Sequence, residues 1–476
     1  MTAAAPRPAR VSPTRLVDLC PDAGCPATGL PTGAVVTGVT LDSRLVQPGD
    51  VYAALPGAHT HGADHLAAAL AAGAAAVLTD RPLPGCPVPV LVVPDPRAVL
   101  GAVSARVYGD PAASLDLYGV TGTNGKTTTA HLLEAGLAAA GHTTGLLGTI
   151  GSRVAGESLP SARTTPEAPE LQALLALMVE RGVTACAMEV SSHALALGRV
   201  DGCHFRAVGF TNLSQDHLDF HGDLEHYYLA KAALFAPSRS DVAVVDTSDQ
   251  YGRRLAQAVR AAGSPMLVEL AAEETAPTAL AGSFNARNAA LALRMLEATG
   301  VDETAAAQGI AALACVPGRM EPVRAGQRFT ALVDYAHTPE AVAAALAAAR
   351  AMTTGRVIVV LGCGGDRDRG KRPLMGAAVA TGADVAVLTD DNPRSEPSAE
   401  ILAAMAAGVP YGSPAEVLVI ADRATAIAVA VGRAGDGDVL LVAGKGHETG
   451  QEVAGTVHPF DDRAVLRSAL LAGAGA

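Results

Sequence analysis

The chain has 476 residues, a formal net charge of −12 and no basic stripe, which excludes nucleic acid as its main partner. Hydrophobic side chains make up 49% of it and charged ones only 17%, enough apolar mass for about three domains with buried cores. Seven scattered cysteines without a C-x-x-C pair read as reduced thiols of a cytoplasmic protein. Residues 1–16 hold no apolar run of the secretory kind, and the Ala/Leu stretch 66–78 is interrupted by Gly73 and too short to span a bilayer.

Residues 1–110 carry Pro/Gly punctuation between short apolar runs such as 75–78 and 90–93, which predicts a small α/β domain. Its residues with chemical potential are few: Asp42, Ser43 and Arg44, and the histidines His59, His61 and His65, which read most simply as surface loop residues.

Residues 111–318 open with the most telling stretch. An apolar run (Leu115, Leu117, Val120) stops at Gly122, a turn of Thr123, Asn124 and Gly125 follows, and Lys126, Thr127 and Thr128 begin an apolar helical segment. Strand, glycine loop and helix in that order build an anion site. Glycines let backbone N–H groups converge, the helix N-terminus adds positive potential, lysine meets the terminal phosphates, and threonine binds Mg²⁺. The spacing is the short G-x-x-G-K-T, for which a plain tight turn is the alternative. Downstream, the run 185–188 ends at Glu189, placed either to hold metal or to cap and pair locally. The stretch 216–221 offers His217 as a ligand of Mg²⁺ or Mn²⁺, in preference to a zinc pair with His221, since the H-E-x-x-H glutamate is missing. Lys231 lies in an apolar helical stretch, 227–235, where a lone lysine ordinarily snorkels to the surface.

Residues 319–476 repeat one theme. The runs 329–333, 356–361, 384–388 and 438–442 each end in a polar cluster, as do 115–120, 185–188 and 207–210 before them. Continuous apolar strands separated by helices predict parallel sheets, and ligands of such sheets sit at the carboxyl ends of the strands. Thr338, Pro339 and Glu340 predict a capped helix over 340–352.

Together these segments resemble the Mur ligases, the ATP-dependent amide-forming enzymes of peptidoglycan precursor synthesis, almost end to end. Residues 122–128 match G-T-N-G-K-T-T, 188–193 match M-E-V-S-S-H, 285–288 match N-x-x-N, 317–321 match P-G-R-M-E and 334–339 match D-Y-A-H-T-P. The first segment and the clusters 362–369, 391–394 and 444–448 resemble the MurE branch. The resemblance implies three domains: a UDP-muramoyl substrate domain (1–110), a central P-loop-type ATPase domain with a mostly parallel sheet (111–318) and a Rossmann-like amino-acid-binding domain (319–476). It implies that ATP phosphorylates the γ-carboxylate of UDP-MurNAc-L-Ala-D-Glu and that diaminopimelate then attacks the acyl phosphate. Catalysis would rest on Lys126, Glu189, His217 and Lys231, and ATP binding on residues 122–128, Asn285 and Arg319. Two Mg²⁺ ions would be held by Thr127, Glu189, His217 and Lys231, the last as a CO₂-derived carbamate, so that the resemblance overrides the snorkelling reading. Ser43, Thr164, Thr165, Ser191 and Arg199 would contact the UDP-substrate. Leu197 stands where some relatives carry a glutamine contact, so that bond is absent or replaced. Arg367, Asp391, Asn392, Pro393, Arg394, Gly444 and Glu448 would contact diaminopimelate, with Arg394 pairing its distal carboxylate. The implied enzyme is a cytoplasmic monomer. Lysine addition by the same chemistry and a folylpolyglutamate-synthase-like ligase are the alternatives, and a catalytically silent phosphate-loop protein is a further one.

Overall fold

Strands that are apolar on both faces must be covered on both sides, and the chain does this with three mainly parallel sheets wrapped by helices. The computed structural model describes residues 6–19, 30–57, 60–161 and 163–474, so His59 lies outside the described residues. The first sheet runs in chain order through Gly38–Thr40, Asp50–Ala54, Ala76–Thr79 and Val90–Val92, all parallel. Helix Pro96–Val107 follows, with Asp95 accepting from the Arg97 and Ala98 N–H groups and Pro96 in the first turn.

The second sheet is the largest. Its spatial order is Glu157–Leu159, Gly151–Val154, Thr144–Gly148, Ala185–Glu189, Asp116–Thr121, Phe205–Phe210, Ser240–Asp246 and Met266–Leu270. All pairs from Thr144–Gly148 onward are parallel, and the first two strands form an antiparallel edge. Side chains alternate between two cores: Leu117, Cys186 and Met188 enter one, and Tyr118, Val120, Ala185 and Ala187 the other. Asp116–Thr121 therefore sits mid-sheet, with Glu189 in register with Val120 and Phe210 with Thr121.

The third sheet places Thr330–Asp334, Val439–Ala443, Val357–Cys363, Val385–Asp390 and Glu416–Val419 in parallel, with Glu321–Pro322 antiparallel at one edge. Helix Pro339–Ala351 begins one residue before the predicted span, and the Thr338 side chain accepts from the Ala341 N–H. This is the expected three-part α/β fold. The segment predicted as helix over 227–235 is instead helix Leu224–Ala232, capped by Asp223, followed by a 3₁₀ turn over Ala233–Phe235.

One ion pair braces the third sheet. Arg423 Nε and Nη2 each lie 2.7 Å from an Asp462 carboxylate oxygen, and neither side chain is exposed. The same guanidinium donates to the carbonyls of Asp390 (3.1 Å) and Ala443 (2.8 Å), tying together the ends of two strands. Arg423→Ala strands a buried carboxylate and should cost about 3–5 kcal/mol of folding free energy, measured by urea denaturation.

Candidate active site

The phosphate-type loop follows from two glycines. Gly122 (φ +145°) and Gly125 (φ +90°) take conformations that residues with a side chain rarely adopt, and a Cβ on Gly125 would stand 2.5 Å from Asn288 Oδ1. Helix Lys126–Ala139 starts directly after them. Lys126 Nζ folds back onto the loop, donating to the carbonyls of Gly122 (2.9 Å) and Thr123 (2.8 Å). Lys231, fully buried, donates to the same Gly122 carbonyl at 2.6 Å and sits 4.5 Å over the Tyr227 ring. Burial first, then the charge of Lys126, pulls the Lys231 amine well below the ordinary lysine range. Burial lowers Lys126 too, against the opposing pull of Glu189 and Asp216.

Glu189, at the end of the neighbouring strand, is the oxygen-rich side of the site. It accepts from Thr149 N (2.7 Å), Thr149 Oγ1 (3.0 Å) and Thr127 Oγ1 (2.9 Å). Arg319 Nη2 donates to Thr127 Oγ1 at 2.9 Å and its guanidinium stacks 4.4 Å over Tyr335, bringing the third sheet's linker onto the loop. Asn285 donates to the Ala281 carbonyl and accepts from Asn288, which is the residue that stands against the loop at Gly125.

His217 (φ +54°) has its pKa pushed down to about 3, chiefly by burial and also by neighbouring His193 and Lys126, against the pull of Asp216. Its Nε2 lies 3.5 Å from Asp216. Asp216 also faces His337 Nε2 at 3.5 Å and Lys371 Nζ at 3.7 Å, both from the third-sheet segment. Burial opposes the charge on Asp216, but these partners hold its carboxyl well below the usual range. Gln215 donates to Asp368 at 3.0 Å beside it. The sequence points to neither Lys371 nor Thr149, and to Asp216 only as part of the stretch 216–221. Thr149 directly follows the strand Thr144–Gly148, which the sequence pattern does not anticipate either.

A cavity of about 800 Å³ opens between the first and second sheets. Ser43, Arg44, Arg97, Arg163 and Glu167 are among its lining. Glu167 gathers Arg199 (2.8 Å) and Arg97 (3.4 Å), and Arg199 also donates to the Thr165 carbonyl. Thr165 Oγ1 accepts from the Ser191 N–H at 3.1 Å, and Thr164 Oγ1 lies 3.0 Å from Thr149 Oγ1, so these residues run from the cavity towards Glu189. At Leu197 the backbone carbonyl, not the side chain, accepts from Arg97 at 3.5 Å. His61 caps the turn Gly62–His65 and lies 3.0 Å from Asp80, while His65 lines the cavity.

The third cluster forms at three adjacent strand ends. Lys445, fully buried, donates to Asn392 Oδ1 (3.0 Å), Glu448 Oε2 (3.1 Å) and Asp391 Oδ1 (3.4 Å). Asn392 Nδ2 also donates to Glu448 Oε2. Gly444 (φ +109°) turns the chain into this loop, and Pro393 is buried behind it. Arg394 (φ +53°) donates to the Gly365 carbonyl at 2.7 Å. Arg367 is exposed and donates to the Asp366 carbonyl. Gly318 (φ +65°) marks where the chain crosses between the second and third sheets, and a Cβ there would stand 2.3 Å from the His447 N.

Family profiles match three segments of the chain: the Mur ligase catalytic domain over residues 35–108, the Mur ligase middle domain over 120–278 and the Mur ligase glutamate ligase domain over 318–446. The chain belongs to the Mur ligase family and is an ATP-dependent, ADP-forming ligase. It is 51% identical to the UDP-N-acetylmuramoyl-L-alanyl-D-glutamate–2,6-diaminopimelate ligase of Streptomyces avermitilis, over 98% of each chain. The solved structure of a UDP-N-acetylmuramoyl-L-alanyl-D-glutamate–2,6-diaminopimelate ligase is 33% identical, covers 92% of this chain and 96% of its own, and superposes with a TM-score of 0.63. The MurF ligase of Thermotoga maritima in complex with ADP shares the fold at 18% identity and a TM-score of 0.62 over 92% of this chain and 96% of its own.

Removing the loop lysine isolates its contribution. Lys126→Ala should lower ATP-dependent ligation by about 10²-fold or more while the protein still melts cooperatively, read by phosphate release and calorimetry.

Proposed function

We propose that the enzyme adds diaminopimelate to UDP-MurNAc-L-Ala-D-Glu in the cytoplasm, as a monomer, making a precursor of peptidoglycan. The observation that carries this reading is the meeting of two carboxyl-edge clusters: the phosphate-type loop with Lys126 and the Asn392–Arg394–Glu448 cluster belong to sheets joined through Asp216, Arg319 and Lys371. In the first step an oxygen of the D-Glu γ-carboxylate attacks the γ-phosphorus of ATP and ADP leaves. In the second the amine nitrogen attacks the acyl carbon, loses a proton, and inorganic phosphate departs. Lys126 and the loop N–H groups meet the charge on the transferring phosphoryl. Thr164, Thr165, Ser191 and Arg199 orient the dipeptide end, and Ser43 lies along the nucleotide end.

Two Mg²⁺ ions fit the donors present. Thr127 and Glu189 would supply oxygens for one, and the neutral His217 ring nitrogen with a carbamate oxygen on Lys231 would hold the other. Mg²⁺ keeps few protein ligands and leans on phosphate and water, which matches a donor set this small. When bound, these ions supply positive charge to the phosphate oxygens. Lys231 suits carbamylation because a neutral amine, stripped of water, adds CO₂ and releases a proton. Lys231→Ala should abolish most ligation, with partial recovery in short-chain carboxylates. Density for a bare amine in a fully liganded crystal grown with bicarbonate would reject the carbamate.

Arg394 and Glu448 suit the two ends of diaminopimelate's distal amino-acid group, a carboxylate and an ammonium, that lysine does not carry together. The deciding experiment is a product assay offering meso- and LL-diaminopimelate, lysine and D-Ala-D-Ala. Diaminopimelate should be the amino acid incorporated. Arg394→Ala should raise the KM for diaminopimelate by about 30-fold to several thousand-fold, with the KM for ATP and UDP-substrate little changed. A defect confined to ATP or UDP-substrate would remove Arg394 from the amino-acid pocket.

A further inference from the structure

The hairpin Gly450–Val453/Thr456–Pro459 takes no part in the chemistry above, yet it is fastened to the loop that carries Arg394. The Arg394 N–H donates to the Glu452 carbonyl at 3.0 Å, and the Ala454 N–H donates to the Arg394 carbonyl at 2.7 Å. The Glu452 N–H donates to Asn392 Oδ1 at 3.0 Å, and Gln451 Nε2 to the Asp391 carbonyl at 2.9 Å. These bonds hold Arg394 at φ +53°, a left-handed conformation that costs a side-chain-bearing residue free energy and persists only where its surroundings enforce it.

The side chain is held as well as the backbone. A guanidinium has five N–H groups in a rigid plane. Nη1 donates to the Gly365 carbonyl at 2.7 Å, and Nε lies 3.4 Å from the Glu452 carboxylate. The inner flank of the fork is occupied by Glu452. Nη2 donates to no acceptor among the described residues, so the outer, end-on edge, one hydrogen each from Nη1 and Nη2, is left for a carboxylate. A guanidinium without its Nε partner would swing about its last torsions and meet that carboxylate in several poses, at a cost in affinity.

We infer that Glu452 is a positioning residue for the amino-acid substrate: it holds Nε of Arg394 so that the outer edge of the fork faces the distal carboxylate. This rests on the reading of Arg394 given under Proposed function. Glu452→Ala in the full-length enzyme should raise the KM for diaminopimelate about three- to tenfold, with kcat and the KM values for ATP and UDP-substrate unchanged. Glu452→Gln keeps an acceptor oxygen for Nε and should recover most of that loss. Thermal melting of both variants reports on the fold. An unchanged or lowered KM in Glu452→Ala, with Arg394→Ala still impaired, overturns the role of Glu452 and leaves that of Arg394 standing. A fall in kcat and melting temperature with the KM unchanged also overturns it, by making the hairpin a structural brace alone. A normal KM in Arg394→Ala removes the underlying assignment instead.

Discussion

A carboxylate taken out of water must be paired or protonated, and Asp216 is paired from three directions. His217 belongs to its own segment, whereas His337 and Lys371 reach it from the other sheet. The phosphate-type loop and the amino-acid cluster lie on separate sheets with separate cores, and neither sheet alone holds both. The contacts of Asp216, with Arg319 on Thr127 and Gln215 on Asp368, set how the two face each other.

Much of this was legible in the sequence where a residue type answers a local demand. The glycines of the loop are there because φ is positive at Gly122 and Gly125, and that demand shows in the order of strand, turn and helix. Four apolar runs of the third segment became parallel strands because both faces had to be covered. Five strands of the second sheet are not anticipated from the sequence: Thr144–Gly148, Gly151–Val154, Glu157–Leu159, Ser240–Asp246 and Met266–Leu270. The last is an edge strand whose apolar run is broken by Glu269 and of which only Leu270 is buried, so its pattern is short.

Other features depend on partners far away along the chain. The pairing of Arg423 with Asp462 joins residues that no local pattern relates. Lys445 lay within a recognisable motif, but that it is buried with Asp391, Asn392 and Glu448 follows only from three strand ends lying side by side. Asp216 was visible as part of an acidic and histidine-rich stretch, and its cations come from residues 337 and 371. Lys231 shows the reverse case: a lysine on an apolar helix ordinarily reaches water, and here it is buried against the carbonyl of Gly122.

The crossing at Gly318 has a mechanical meaning. The backbone there presses against residues 446 and 447, at the root of the loop that bears Glu448. A body turning about a pivot moves least beside the axis and most at its rim. Rotation of the third sheet about this crossing would barely displace residues 446 and 447, whereas the contacts of Asp368 with Gln215 and of Lys371 with Asp216 span the two sheets and would have to part. The cluster around Glu448 and Lys445 would then keep its shape while the seam over the phosphate-type loop opened.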